Sequence, residues 1–266
     1  MMVIYNRRME ESKAYQSLKP LWREQMRLLV VDNSTKEEIS SHNRLCLASN
    51  EGMTKAQYLS LPDNPGLSVA YNRGVEEIVR NGCFGTVDTL DYLLVLDDDT
   101  TLNEDYLRAV EQCVAQKDAP LYLPLVYDEL GLMSPVRLKT LVAKRFVSEA
   151  EALRVAKEHP EELSGINSGM VIRMDLFENH RYNEQMFMDY IDHRWILDLR
   201  KEGIVPKVIS GKLEQNFSAT QDTKKQAWDR FARQKKDLRI FYQGHGGYYA
   251  YVVAKKTLKL WIKYGF

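Results

Sequence analysis

The chain is poor in cysteine: Cys46, Cys83 and Cys113 are odd in number, widely spaced and never arranged as Cys-x-x-Cys. That argues against a disulfide scaffold or a zinc knuckle and fits reduced thiols in a cytosol. Net charge is lacking as well. Lysine plus arginine and aspartate plus glutamate number 37 each, so no global field draws the chain to nucleic acid. Any phosphate or membrane affinity must come from local patches. Long apolar runs are missing too. Met1-Met2-Val3-Ile4-Tyr5-Asn6-Arg7-Arg8 has no signal-peptide core, and no stretch approaches membrane-spanning length. The expectation is a cytoplasmic protein, at most peripheral on the cytoplasmic face of a membrane. No internal repeat or low-complexity tract interrupts the 266 residues, which suffice for one large α/β domain with a helical appendage.

What is present centres on Asp91-Tyr92-Leu93-Leu94-Val95-Leu96-Asp97-Asp98-Asp99-Thr100-Thr101. The apolar run reads as a strand buried on both faces. Three carboxylates follow at its end, where an open α/β sheet places its ligands. Crowded carboxylates repel one another, and a hard divalent cation carrying a phosphate is their natural partner. The bland alternative is a solvated acidic turn, because Thr101-Leu102-Asn103-Glu104 has the capping-box form.

Other segments fit around this strand. Val3-Ile4-Tyr5 and Arg27-Leu28-Leu29-Val30-Val31-Asp32-Asn33-Ser34 are strand patterns, and Leu45-Cys46-Leu47-Ala48 is a third short one. A Pro65-Gly66 turn then leads into a helix that Ser68 can cap. Asn72 and Arg73 in its first turns face a site favourable to a diphosphate, and Gly74 marks close backbone approach. This alternation argues for a parallel sheet. Beyond the acidic run come a helix from Tyr106, strands over 121–126 and 131–138, and a charged helix over 146–159. Asn167-Ser168-Gly169-Met170 is a small-residue loop feeding a strand, open either to a ligand or to a plain bulge. Asp189, Asp192 and His193 stand at i, i+3 and i+4, which puts them on one face of a helix running to Arg200. Two carboxylates and an imidazole there suit a general base with an orienting partner, or a solvated stripe. Pro206 marks the strand over 204–209 as an edge. In the last helix Tyr251, Ala254, Leu258, Trp261 and Ile262 form an apolar stripe beside Lys255, Lys259 and Lys263. Such a helix can lie in a membrane interface or dock on protein.

Taken together, Val30-Val31-Asp32-Asn33-Ser34, the 64–74 segment, Leu96-Asp97-Asp98-Asp99, Asn167-Ser168-Gly169-Met170 and Phe187-Met188-Asp189-Tyr190-Ile191-Asp192-His193-Arg194-Trp195 resemble family 2 glycosyltransferases of the GT-A fold. The nearest flavour is that of bacterial rhamnosyl- and galactofuranosyltransferases. The resemblance implies an α/β fold, a Rossmann-like, mostly parallel sheet flanked by helices. It would occupy 1–217, with a nucleotide-sugar half over 1–100, an acceptor half over 101–217 and a basic, aromatic helical tail over 218–266. It implies inverting, Mn²⁺- or Mg²⁺-dependent transfer from a dTDP or UDP sugar to a glycan or lipid-linked acceptor in cell-surface polysaccharide synthesis.

By that match Asp32 holds the base or ribose near Tyr5 and Asn6, and Asn72 and Asp98 lie on the nucleotide-sugar side. Asp97 and Asp99 form the Asp-x-Asp pair, with Asp99 on the metal, and Asp192 is the general base. Asp189, His193, Trp195, Ser168 and Gly169 shape the acceptor pocket, Trp195 by stacking on a sugar. Three departures stand out. The first strand is short, Arg194 stands where an acidic residue is common two positions after the base, and Leu213-Glu214-Gln215-Asn216 replaces a customary metal-binding histidine. Gln215, Asn216 or His245 would have to serve instead.

The sharpest rival is a Mg²⁺-dependent phosphatase of the haloacid dehalogenase type, with Asp97 as nucleophile and Asp99 as acid/base. A nucleotidyltransferase using Arg7-Arg8, or a non-catalytic binding domain, is a further reading.

Overall fold

The computed structural model describes residues 1–53, 55–80, 92–215 and 223–265. In chain order the first part comprises β1 (Met2–Ile4), α1 (Lys13–Leu21), β2 (Leu28–Asp32), α2 (Glu37–Ala48), β3 (Ala56–Ser60) and α3 (Leu67–Arg80). Next come β4 (Tyr92–Leu94), β5 (Leu96–Asp97), β6 (Thr100–Thr101), α4 (Glu104–Gln116), β7 (Leu121–Asp128), β8 (Gly131–Ser134), β9 (Val136–Arg137) and β10 (Lys144–Arg145). The last part holds α5 (Glu149–Glu158), β11 (Leu163–Ser164), β12 (Val171–Arg173), α6 (Leu176–Asn179), α7 (Ile191–Lys201), β13 (Lys207–Gln215), α8 (Lys224–Phe241) and α9 (Gly246–Tyr264).

Two sheets carry the site. The first is parallel throughout, in the order β3-β2-β1-β5. Because side chains alternate along a strand, Leu29 and Val31 of β2 enter one core with Tyr71, Val75 and Ile78 of α3, while Leu28 and Val30 enter a second core with Tyr15 and Leu18 of α1. That two-sided burial explains the unbroken apolar runs. The second sheet is mixed, in the order β4-β12-β7-β13-β6 with β8 on β7. A small antiparallel sheet of β10, β9 and β11 lies beside them.

Several expectations are corrected. The 92–97 run is not one strand but two. β4 pairs antiparallel with β12 and β5 pairs parallel with β1, so the chain changes sheet at Val95. Asp91 lies outside the described residues. Leu45–Ala48 is the end of α2 rather than a strand; Ser40, Asn43 and Leu47 make the buried helical stripe, and Leu45 is exposed. The third parallel strand is instead β3, whose residues are only half-buried. Asn103, not Thr101, caps α4, its side chain accepting from the Tyr106 amide at 2.8 Å. Ser68 lies inside the first turn of α3, buried, with no partner for its hydroxyl among the described residues. Pro206 precedes β13, which is no edge strand, since it pairs with both β7 and β6. Gly74 does mark close approach: a Cβ there would run into Met1 Sδ and Val31 Cγ2.

The tail is welded to the rest. Leu238 and Phe241 of α8, Tyr242 just after it and Val252 of α9 belong to the same core as Trp195 and Val31. Tyr242 also donates its hydroxyl to the Leu141 carbonyl at 2.8 Å.

Candidate functional site

Register brings the strand ends together. Ile4 stands opposite Asp32 and Val3 opposite Asp97, so Tyr5, Asp32 and the Asp97–Asp99 run all leave the sheet at its carboxyl edge. An open α/β sheet presents its ligand crevice at that edge.

Each of the three aspartates has a different partner. Asp97 Oδ1 accepts from the buried Tyr71 hydroxyl at 2.6 Å. Asp98 Oδ1 pairs with Arg7 Nη1 at 2.9 Å, and its carbonyl accepts from Ser12 Oγ at 3.0 Å. Asp99 Oδ1 accepts from Gln215 Nε2 at 2.8 Å. Burial and the neighbouring Asp99 push the Asp97 carboxyl up to about 7, against the Tyr71 hydrogen bond. Burial lifts Asp98 to about 6 although Arg7 opposes it, and burial likewise raises Asp99 against the Gln215 contact. A run of rings links this turn to α7: Tyr71, which bonds Asp97, is 5.1 Å from Tyr182, and Tyr182 stacks on Trp195 at 5.3 Å. Asp192, in the first turn of α7, adds a small further upward push on Asp97.

Asp192 opens α7, half-buried, with Oδ1 accepting from the His193 amide at 2.7 Å. His193 Nδ1 is 3.9 Å from that carboxylate and shares a 2.8 Å hydrogen bond with Ser164 Oγ. Asp189 is not on the same helical face. It precedes the helix, separated from Ile191 by Tyr190 at φ +65°. Its Oδ1 accepts from Gln234 Nε2 at 2.5 Å, while its Oδ2 is buried with no partner among the described residues. Burial raises its carboxyl above the ordinary range.

Other expected site residues turn inward. Asp32 is 0% exposed, its oxygens taken by Ser34 N at 2.9 Å, Asn43 Nδ2 at 2.7 Å and the Tyr58 hydroxyl at 2.7 Å. It therefore braces the β2 end rather than facing a nucleotide. Asn72 is buried against the 182–184 segment, bonded to the backbone of Tyr182 at 2.9 and 3.0 Å and to Glu184, and does not face a diphosphate. Trp195 is 2% exposed and stacks on Phe177 and Tyr182, so it packs the core and offers no ring to a sugar.

Ser168 and Gly169 brace the acidic turn. Ser168 Oγ accepts from the Asp97 amide at 3.1 Å and meets Thr100 Oγ1. Gly169, at φ +82°, has Leu213 and Pro124 where a Cβ would go. Asn6, also at positive φ, accepts from the Thr35 and Lys36 amides and ties two strand-end loops together, while Tyr5 is exposed at the rim. His245 lies at the start of α9, against Tyr248, lining a cavity of about 520 Å³ with Val142 and Tyr251, away from the aspartates' partners. Asn216 lies outside the described residues.

A divalent cation fits this donor set on one observation. Gln215, locked opposite Thr100 by the β13–β6 register, keeps its Oε1 buried beside Asp99, with no partner among the described residues. Buried polar atoms are normally satisfied, and a hard cation held by carboxylate and amide oxygens would satisfy this one.

Sequence reasoning missed Tyr71 and the α8 side chains Gln234 and Asp237. Tyr71 falls on the 71, 75, 78 buried stripe, where a phenol needs a partner. Asp237 interrupts the apolar face of Ala227, Phe231, Leu238 and Phe241.

No family model matches the chain. An alignment of 195 residues shows 23% identity to the dTDP-rhamnosyl transferase RfbF of Shigella flexneri, covering 68% of this chain and 56% of that one. The chain thus spans little more than half the length of the curated relative. Among solved structures, S. aureus TarS 1-349 superposes with TM-score 0.55 at 12% identity, covering 98% of this chain and 71% of its own. GalNAc-T7 with UDP, GalNAc and Mn²⁺ superposes with TM-score 0.57 at 15% identity, covering 81% of this chain and 43% of its own. At such identities the structural likeness shows the fold, which is GT-A. None of these similarities favours the phosphatase reading. The sequence relative and the structural neighbours together support a family 2 glycosyltransferase with the GT-A fold.

Proposed function

We propose that the chain is an inverting, metal-dependent glycosyltransferase of cell-surface polysaccharide synthesis, moving a sugar from a dTDP or UDP donor to a hydroxyl of a glycan or lipid-linked acceptor. The observation that carries this is the placement of Asp97–Asp99 at the carboxyl end of a parallel strand, joined through Tyr71, Tyr182 and Trp195 to α7, whose first turn holds Asp192.

In this reading Tyr5, Asn6 and Asp98 form the nucleotide rim, with Asp98 already steadied by Arg7. Asp97 faces the ribose or sugar side, oriented by Tyr71. Asp99 and Asp97, with the Gln215 amide oxygen, would hold Mn²⁺ or Mg²⁺. When bound, the cation offsets the charge that collects on the departing diphosphate. Asp192 takes the proton from the acceptor hydroxyl, and the freed oxygen attacks the anomeric carbon on the face opposite the diphosphate. One bond forms as the other breaks, so configuration inverts. Asp189 and His193 border the acceptor side. RfbF supports a dTDP donor, whereas the neighbours solved with UDP support UDP. Mn²⁺ is named with one neighbour.

Contact with the cytoplasmic face of a membrane would run through α9. Among the described residues no helix is long and apolar enough to cross a membrane. Yet Tyr251, Leu258, Trp261 and Ile262 remain exposed on α9 beside Lys255, Lys259 and Lys263.

The test is thermal unfolding with UDP, dTDP, GDP and CDP, each with and without Mn²⁺. A ligand at about 100 times its dissociation constant adds about 2.7 kcal/mol. A metal-dependent rise with one diphosphate, abolished in Asp99→Ala, is the expected result. No rise with any of the four overturns the reading.

A further inference from the structure

Asp237 has no obvious business where it stands. It lies one turn before the end of α8, four residues ahead of Phe241, 2% exposed, on the stripe that otherwise buries Ala227, Phe231, Leu238 and Phe241. A buried carboxylate is costly unless it is hydrogen-bonded. This one is satisfied entirely by the loop before α7. Its Oδ1 accepts from the Phe187 amide at 2.8 Å, and its Oδ2 from the amides of Met188 at 2.9 Å and Asp189 at 2.8 Å. Three successive backbone donors thus converge on one side chain.

The opposite side of the loop is held as firmly. Phe187 donates its amide to Asp237 and uses its carbonyl to accept from the Leu67 amide at 2.6 Å, at the start of α3. Gly66 at φ +99° makes that approach possible, since a Cβ there would lie 2.6 Å from the Phe187 oxygen. One helical turn before Asp237, Gln234 donates to the Asp189 side chain, and Lys256 of α9 donates to Gln234 Oε1 at 2.8 Å. Immediately after the clamped residues the chain turns through Tyr190 at φ +65° and enters α7, where Tyr190 O accepts from the Arg194 amide at 2.9 Å and Asp192 occupies the first turn. Where Asp192 points therefore depends on where this loop is held.

We propose that Asp237 is a positioning residue for the acceptor side of the site: from the C-terminal helices it fixes the loop that aims the Asp192 carboxylate. The inference rests on the glycosyltransferase reading. It assigns the tail a part in the reaction itself. Asp237→Asn keeps the side chain's shape but sets an NH₂ group against backbone N–H donors, whereas Asp237→Glu keeps the charge and shifts it by one methylene.

The test compares wild type with these two variants, well below their unfolding midpoints, by three readouts. These are kcat for transfer from UDP and dTDP sugars, Mn²⁺-dependent binding of UDP and dTDP, and amide exchange over 180–200 and 224–241. Small misplacement of a reacting group can cost about 100-fold. Asp237→Asn is expected to lower kcat by about that factor, to bind the nucleotide within about twofold of wild type, and to expose the 187–189 amides while α8 stays protected. Asp237→Glu should recover part of the rate. Unchanged kcat in Asp237→Asn overturns the proposal, as does exchange that rises equally throughout α8. If Asp237→Asn does not fold, Asp237→Glu decides by the same readouts. Should the wild type itself transfer no sugar and bind neither nucleotide, the glycosyltransferase reading falls. The exchange arm then still decides the clamp, because selective exposure of 187–189 upholds it and uniform exposure removes it.

Discussion

At the scale of single residues, the site divides side chains that face the reaction from side chains that hold others in place. Asp192→Asn keeps the volume and loses the proposed base. The expected outcome is donor binding within about twofold of wild type and transfer reduced to background, read by nucleotide release with and without acceptor. Retained transfer would take Asp192 out of that role. Trp195 makes the converse case. Trp195→Ala should cost about 3–5 kcal/mol in urea denaturation, the range for deleting a buried aromatic, without a selective rise in acceptor KM. Gln215 lies between these cases, since its unpartnered Oε1 sits beside Asp99. Gln215→His should tighten Mn²⁺ in titration calorimetry, because imidazole binds such metals better than a neutral amide. The sequence alone could not sort these residues. A tryptophan three positions after an acidic residue reads the same in a sugar pocket as in a core. Only the stacked Phe177 and Tyr182, from a distant segment, decide it. Asp32 is similar: Asn43 and Tyr58, which occupy its oxygens, are invisible in the local pattern.

At the scale of elements, strand ends were the legible part. An apolar run followed by aspartates located β2 and β5 and placed their carboxylates at one edge, because burial on both faces leaves a continuous signal. Less of the rest was legible because the same local pattern serves different partners. Nothing in Leu93-Leu94-Val95-Leu96 records that two sheets share it. β3, half-buried and interleaved with polar residues, carries too little contrast to stand out. The strand-end carboxylates give an element-level prediction. Asp97 titrates near 7 and Asp98 near 6 in the folded chain, both above their ordinary range. A raised carboxyl keeps its proton in the folded state after the unfolded chain has lost it, so stability falls as pH climbs from about 4 towards 7. In chelator, the unfolding midpoint should drop across that window, by about 2–4 °C for each kcal/mol lost. Asp97→Asn or excess Mn²⁺ should flatten the slope. A second prediction concerns the turn into α3. Gly66→Ala places a methyl group against the Phe187 carbonyl at a backbone angle that alanine resists, for roughly 1–3 kcal/mol in denaturant titration.

At the scale of the molecule, α9 rides on the core through Val252 and leaves an apolar stripe and a lysine row outward, with no acidic residue along its length. Co-sedimentation should retain the protein on phosphatidylglycerol vesicles and release it from neutral phosphatidylcholine. Each of Lys255→Gln and Lys259→Gln should weaken retention about fivefold, equivalent to about 1 kcal/mol for one basic side chain at an anionic surface. Equal binding to both vesicle types would remove the electrostatic part of the reading. The crossing of sheets at Val95 has a different reach. Val95 donates to Met170 O at 3.0 Å and accepts from the Gly169 amide at 2.8 Å, while the next amide, Leu96, donates to Met1 O at 2.9 Å. Two adjacent residues thus fasten the parallel sheet to the mixed one, and neither sheet can dissolve without freeing the other's hydrogen bonds. The two sheets should therefore melt in one cooperative step, and fragments severed after residue 100 should regain structure only when mixed.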